Sequence, residues 1–395
     1  MISDRIHTVT PSYTINISLR VSEMKQQGKD LIDLSIGEPD FNIPEISKAE
    51  AIKALNHNKT KYDKAQGLLE LRQAIIKKLK NENNLSYKIE NIVVSNGAKQ
   101  ALSNTLMAIL NPEEEVLVPK PYWVSYPEMI KLVGGIPVFI DTWRNTGYKI
   151  TPELLSSYVT PKTKMLFLTN PSNPSGLVYS SEQLTEIGNF CVENNIYILS
   201  DEIYERICFK DAFTSIASIS NAIKDRTITI NGFSKSFAMT GLRIGYSISN
   251  TEIAKAISII QGHLTSHPST ISQWAAVASL NKCSNEPEIM KKEYKKRRNT
   301  AILILDKVPN LKYLYPEGAF YIFLDISAYK KYLNYHGSFS VAFCDNLLNE
   351  ALVAAVPGIA FGMDDFIRIS YACSEKVLSE GLNRMCDFIQ SLFNN

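Results

Sequence analysis

The chain has 395 residues, 45% hydrophobic and 21% charged, with 42 basic against 40 acidic side chains and a formal net charge of +2. That length exceeds what one hydrophobic core fills, so two lobes are expected. The balanced charge argues against a nucleic-acid or anionic-membrane partner, and the composition is that of a soluble globular protein.

The opening Met1-Ile2-Ser3-Asp4-Arg5 carries charge and no apolar run, so no signal peptide is expected. The six cysteines (Cys191, Cys208, Cys283, Cys344, Cys373, Cys386) show neither C-x-x-C nor metal-ligand spacing. They point to a reduced cytoplasmic setting and to no metal site. A helix is expected over residues 18–27, stopped by Gly28. From about 48 to 286, short apolar runs alternate with amphipathic stretches such as Leu184, Ile187, Phe190 and Cys191. This pattern predicts a mostly parallel sheet wrapped by helices. Strands are expected at 92–95, 116–118, 165–169, 196–199 and 227–230. A charged helix over 287–308 then leads to strands at 319–323, 353–356 and 366–370, a smaller α+β lobe. The lysines and arginines at 291–298 read as its solvated face. The most apolar run, 351–363, is broken by Pro357, Gly358 and Gly362 and is too short to span a membrane. The expected organisation is an N-terminal segment (1–45) packed with the small lobe, a large domain (46–286) and a small C-terminal domain (287–395).

Chemistry-bearing residues follow these strands. After 92–95 comes Asn96-Gly97-Ala98-Lys99-Gln100, a glycine turn opening a helix, and after 116–118 comes Pro121-Tyr122-Trp123. After 165–169 comes Asn170-Pro171-Ser172-Asn173-Pro174-Ser175-Gly176; Asp201 and Tyr204 follow 196–199, and Lys235 follows 227–230. Ligands of open α/β sheets bind beyond the carboxyl ends of the strands, so these groups are expected to share one crevice.

Lys235 stands among small residues in Gly232-Phe233-Ser234-Lys235-Ser236, and Arg243 follows eight positions later between Leu242 and Ile244. Such a lysine can form a Schiff base with an aldehyde, and such an arginine can grip a phosphate. Together they describe a seat for pyridoxal 5'-phosphate. Gly97 would let backbone N–H groups approach the phosphate at a helix start, and the Ser234 hydroxyl would reach another oxygen. Asp201 is either a cap for the turn that follows or a counter-ion for a protonated pyridine nitrogen. Tyr204 and Asn173 can bond the ring's phenolic oxygen. Trp123 either packs in the core or stacks on the ring.

Several runs together carry a family resemblance: Gly37-Glu38-Pro39-Asp40-Phe41, Lys61-Tyr62 with Gly67, Lys99-Gln100-Ala101-Leu102, residues 121–128, Asn173-Pro174-Ser175-Gly176, Ser200-Asp201-Glu202-Ile203-Tyr204, the Lys235 segment, and Arg368-Ile369-Ser370-Tyr371. On them the chain resembles the class I/II pyridoxal-phosphate-dependent aminotransferases of fold type I, in particular their prokaryotic aspartate aminotransferase-like subgroup. The resemblance implies an α/β large domain with a mostly parallel seven-stranded sheet, plus a smaller α+β domain. It implies that Lys235 carries the cofactor and shuttles the substrate's proton, that Asp201 keeps the ring nitrogen protonated, and that Trp123 stacks on the ring. Gly97, Ala98, Lys99, Ser234 and Arg243 would hold the phosphate. Arg368 would clamp the substrate α-carboxylate, with Gly37, Trp123 and Asn173 beside it. Tyr62 matches a tyrosine that reaches the neighbouring subunit's phosphate, which implies a homodimer with shared sites. The implied reaction is a ping-pong exchange of an amino group between an L-amino acid and a 2-oxo acid.

Two positions depart from the pattern. Gly232 stands where many relatives carry a phosphate-binding serine. Thr10 precedes Pro11-Ser12 where dicarboxylate-using relatives often carry a basic residue, which leaves the amino donor open. A lyase, decarboxylase or amino-acid oxidase on the same fold would share Lys235 and Asp201. A cofactor-sensing regulator would need a DNA-binding domain, and no such pattern precedes Gly37.

Overall fold

The computed structural model describes residues 2–11 and 13–393. In chain order the strands are β1 (Ile32–Asp33), β2 (Ile92–Ser95), β3 (Glu115–Pro119), β4 (Ile136–Ile140), β5 (Thr163–Thr169), β6 (Tyr197–Asp201), β7 (Thr227–Gly232), β8 (Gly245–Ile248), β9 (Lys312–Leu314), β10 (Tyr321–Asp325), β11 (Val353–Ala354), β12 (Val356–Pro357) and β13 (Phe366–Ser370). Seven of them form one sheet in the order β2-β8-β7-β6-β5-β3-β4. Its pairs are parallel except at β8, which runs antiparallel to both β2 and β7.

Alternation explains why the inner strands read as unbroken apolar runs. Val116, Val118, Met165, Phe167 and Leu199 face Ala101, Leu102 and Leu106 of the Ala98–Ile109 helix. Their neighbours Leu117, Leu166, Leu168 and Ile198 point the other way, against Leu184, Ile187 and Cys191 of the Ser181–Glu193 helix. A strand with period two must be apolar at every position when helices cover both faces.

The C-terminal part forms an antiparallel sheet, β12-β13-β10-β9, packed with the Glu286–Leu305 and Glu375–Ser391 helices. The N-terminal segment lies against it: β1 pairs in parallel with β11, and Val21, Met24 and Leu31 cluster with Leu348 and Ala354. Where sequence expectation and structure differ, the causes are local. The strand expected over 353–356 divides at Ala355 into β11 and β12, which join different sheets. Edge strand β4, Ile-Pro-Val-Phe-Ile, is an apolar run interrupted by proline that leaves Ile136 and Phe139 exposed, whereas β8 is a four-residue Gly-Tyr-Ser-Ile with no apolar run. The N-terminal helix begins earlier than expected and spans Tyr13–Gln26. Among the described residues, no helix is long and apolar enough to cross a membrane.

Candidate active site

Where the parallel strands end, a cavity of about 740 Å³ opens between the seven-stranded sheet and the C-terminal sheet. Its lining includes Lys235, Asp201, Tyr204, Asn173, Trp123 and Arg368, drawn from strands β6 and β13 and from the connections after β3, β5, β6 and β7. Ala98, Lys99, Ser234, Arg243 and Gly37 line it too.

Lys235 lies three residues beyond the end of β7. Its Nζ donates to the Gly37 carbonyl and lies 6.0 Å from the Tyr204 ring centroid and 5.6 Å from that of Phe320. Burial lowers its pKa to about 8, with Glu38 opposing the shift and Arg368 and Arg243 adding to it. A charged ammonium is poorly solvated in this setting, so the neutral, nucleophilic amine is more available than on an exposed lysine.

The end of the cavity near β2 is built for an anion. Gly97 ends the β2 connection at φ +82°, a conformation open to glycine, and caps the Ala98–Ile109 helix. A Cβ at Gly97 would lie 2.5 Å from Nη2 of Arg243, so the guanidinium occupies the space a side chain would fill. Arg243 Nη1 donates to the Thr240 carbonyl at 2.8 Å. The backbone amides of Ala98 and Lys99 donate to no protein atom among the described residues, as expected for a helix start. β8 comes so close that a Cβ at Gly245 would lie 2.3 Å from the Ala98 nitrogen. Behind the turn, Gln261 donates to the Val94 carbonyl at 2.6 Å and accepts from Ser95 Oγ at 2.6 Å, fixing the end of β2.

Asp201, the last residue of β6, is only 5% exposed. Its Oδ2 accepts from the Tyr126 hydroxyl at 2.8 Å and its Oδ1 from the Ile203 amide at 3.2 Å. The cap bond expected for this residue is therefore present, and each oxygen, engaged once, keeps a lone pair for a further donor. Burial raises the Asp201 pKa despite these bonds, so a cation is the partner its carboxylate lacks. Trp123 meets Tyr126 edge-on at 5.4 Å, and Lys99 Nζ lies 4.8 Å from the Trp123 ring centroid.

Arg368 sits on β13, paired with Phe323 of β10, and is 2% exposed. Its Nη1 donates to Asn173 Oδ1 at 3.0 Å and its Nη2 to the Ser35 carbonyl at 2.8 Å. Its Nε is buried without a hydrogen-bond partner among the described residues. These bonds go to neutral oxygens, so the surface ion pair that an isolated arginine would suggest does not describe it. The guanidinium lies 4.2 Å from the Tyr321 ring centroid, and the Tyr321 hydroxyl meets that of Tyr204 at 2.9 Å.

Two expected residues stand apart. Tyr62 is 89% exposed, lies edge-on to His267 at 5.8 Å and does not line this cavity. Thr10 is exposed and also outside it; its amide donates to Glu128 Oε2 at 2.8 Å, and its neighbour Ser12 lies outside the described residues. The Tyr13–Gln26 helix supplies the cavity mouth instead, through Ile15, Ser18 and Leu19. Sequence reasoning gave no role to Tyr126, Tyr321 or Glu38, whose Oε2 accepts from Thr240 at 2.7 Å. Tyr126 and Glu38 lay inside quoted motifs, but Tyr321 sat in a strand whose period gave no hint of its partner.

The sequence profile of aminotransferase class I and II matches residues 29–385. The chain belongs to the class I and II aminotransferases. It is 44% identical over 392 residues to the aspartate aminotransferase of Bacillus sp. (strain YM-2), covering 99% of both chains. It is 42% identical to the probable aspartate/prephenate aminotransferase of Aquifex aeolicus (strain VF5), covering 97% of each. The solved structure of the Thermus thermophilus aspartate aminotransferase with maleate superposes with a TM-score of 0.91 at 38% identity, over 98% of this chain and 99% of that one. The aminotransferase thus has the fold-type-I architecture and uses pyridoxal phosphate to move an amino group between an amino acid and a 2-oxo acid. The residues present fit that group: unmet amides beside Arg243 suit a phosphate, and the buried Asp201 carboxylate suits a cationic ring nitrogen.

Proposed function

We propose that the aminotransferase prefers a dicarboxylic amino donor of the aspartate type, and that the residues lining the cavity divide its work as follows. The observation that carries the reading is a surplus of cations. Among the described residues, Lys235, Arg243 and Arg368 donate to neutral carbonyl and amide oxygens, and Lys99 rests on an aromatic face. One phosphate and one α-carboxylate account for Arg243 and Arg368. Lys99 is left for a second carboxylate, in keeping with the aspartate named for the relatives and the maleate named for the Thermus structure.

Pyridoxal phosphate, when bound, supplies an aldehyde that takes up the amino group and a ring that delocalises a carbanion. The backbone amides of Ala98 and Lys99, with the Ser234 hydroxyl and Arg243, would hold its phosphate, with Gly97 keeping the space clear and the Lys99 side chain left free for the substrate. Asp201 keeps the ring nitrogen protonated, and Tyr126 orients Asp201. Trp123 would cover the ring, while Tyr204 and Asn173 would serve its phenolic oxygen. Arg368 clamps the α-carboxylate between Asn173 and the Gly37 backbone. With the substrate so fixed, Lys235 Nζ would serve as the base that takes and returns the proton of the substrate α-carbon.

The boundaries 1–45, 46–286 and 287–395 serve as the domain division, with the C-terminal sheet carrying Arg368 toward the large domain. The exposure of Tyr62 supports a homodimer in which it enters the partner's cavity, and a cytoplasmic location completes the reading. The deciding experiment is a donor screen that follows the absorbance of bound cofactor. Aspartate and glutamate should convert it fastest, and Lys99→Ala should lower that rate constant about tenfold to a hundredfold while sparing alanine. Equal conversion by apolar donors in the native enzyme would reject the dicarboxylate preference. Turnover that survives in Lys235→Ala would reject the division of roles.

A further inference from the structure

Tyr321 lies on β10 and meets Tyr204 edge-on in the cavity lining, and the two hydroxyls share one hydrogen bond at 2.9 Å. Both phenols are buried and hold their protons firmly, so each has one proton and only one of the two can lie between them. The Arg368 guanidinium, stacked 4.2 Å from the Tyr321 ring centroid, has no lone pair to accept the other. It draws electron density from the ring it covers, which makes Tyr321 the better donor of the two. Among the described residues, Tyr204 is the acceptor within reach of the Tyr321 hydroxyl.

We propose that Tyr321 is a positioning residue: its hydroxyl donates to Tyr204, which turns the Tyr204 proton into the cavity, and its ring seats the Arg368 guanidinium. The inference rests on the reading above in which Tyr204 bonds the cofactor's phenolic oxygen. A phenol that accepts one hydrogen bond donates a stronger one, so the Tyr321 hydroxyl sharpens the contact Tyr204 makes. The same side chain serves carboxylate recognition through its face and the cofactor through its oxygen. The two functions separate cleanly by substitution. Other charged and titratable groups around the pair are Asp201, Lys235, Arg368 and Tyr371, all unchanged in the variants below.

The test uses the holoenzyme and two readouts besides turnover: the pH midpoint of the cofactor's colour change, and the Kd of maleate as a carboxylate probe. A donor at the phenolic oxygen stabilises its negative charge and favours the form that has lost its proton, so a weaker donor moves the midpoint up. Tyr321→Phe should raise the midpoint by at least about 0.3 pH unit and leave the maleate Kd within about twofold, because the ring stays. Tyr321→Leu should raise the midpoint similarly and weaken maleate roughly threefold to thirtyfold. A midpoint unmoved in Tyr321→Phe but raised in Tyr204→Phe overturns the proposal. A midpoint unmoved in both overturns the Tyr204 assignment beneath it. Loss of maleate affinity in Tyr321→Phe as large as in Tyr321→Leu overturns the separation of ring from hydroxyl.

Discussion

Gly97→Ala should separate a cost in stability from a cost in cofactor affinity. The first arises in the backbone. Gly97 adopts φ +82° and ψ 164°, which a residue with a Cβ rarely enters, and holding alanine there costs about 1–3 kcal/mol. The second arises from Arg243. The new Cβ would lie 2.5 Å from Nη2 and 2.9 Å from Cζ, both at the far end of a flexible side chain. The guanidinium can swing aside at small steric cost but leaves the place where it would meet a phosphate. A lost charge-assisted hydrogen bond is worth about 1.5–3 kcal/mol, so the cofactor Kd should rise about tenfold to a hundredfold. Urea midpoints of the apo protein would read the first term, and fluorescence titration with pyridoxal phosphate the second. A thermodynamic cycle with Arg243→Ala sharpens the test, because Gly97→Ala should cost much less affinity once Arg243 is gone. Wild-type affinity in Gly97→Ala, or full additivity of the two substitutions, would refute the reasoning.

Two further outcomes follow from the same geometry. Lys235 is depressed to about 8, so about a tenth of it is neutral at pH 7 and about nine-tenths at pH 9. Uptake of pyridoxal phosphate by the apo protein should quicken about tenfold over that interval, and a rate that rises only near pH 10 would contradict the lowered value. Arg368→Gln should raise the KM of both the amino acid and the 2-oxo acid about a hundredfold while leaving the cofactor's absorbance in place; steady-state kinetics with an absorbance spectrum checks both halves.

Much of this was legible in the sequence because the fold leaves a local trace wherever it needs one. Strands buried on both faces carry dense apolar runs, so those containing Val116 and Met165 were visible, and the β-branched Thr-Ile-Thr-Ile of β7 was visible too. The glycine turn at Gly97 and the segment holding Lys235 and Arg243 combine residue types that chemistry restricts. Less was legible where the surroundings decide. β8 is short and mixed in polarity although it is buried between two strands, and β4 is half-exposed at an edge. The Tyr204–Tyr321 contact joins positions 117 residues apart, and no periodicity within either segment encodes it. The exposure of Tyr62 to solvent, and of Thr10 away from the cavity, likewise depends on the packing of distant elements.

The reversed direction of β8 sets the spacing of the two groups on which cofactor capture turns. β8 enters the sheet at the rim where β7 leaves it, and Gly232 stands opposite Gly245 in their ladder. The twelve intervening residues form a closed arch that delivers an amine and a guanidinium to one shoreline without a crossover helix. A strand of the usual sense would have begun at the far shore. With both feet of the arch pinned, the stretch can exchange side chains but not gain or lose a link, because an added residue would carry Lys235 or Arg243 out of step with its counterpart.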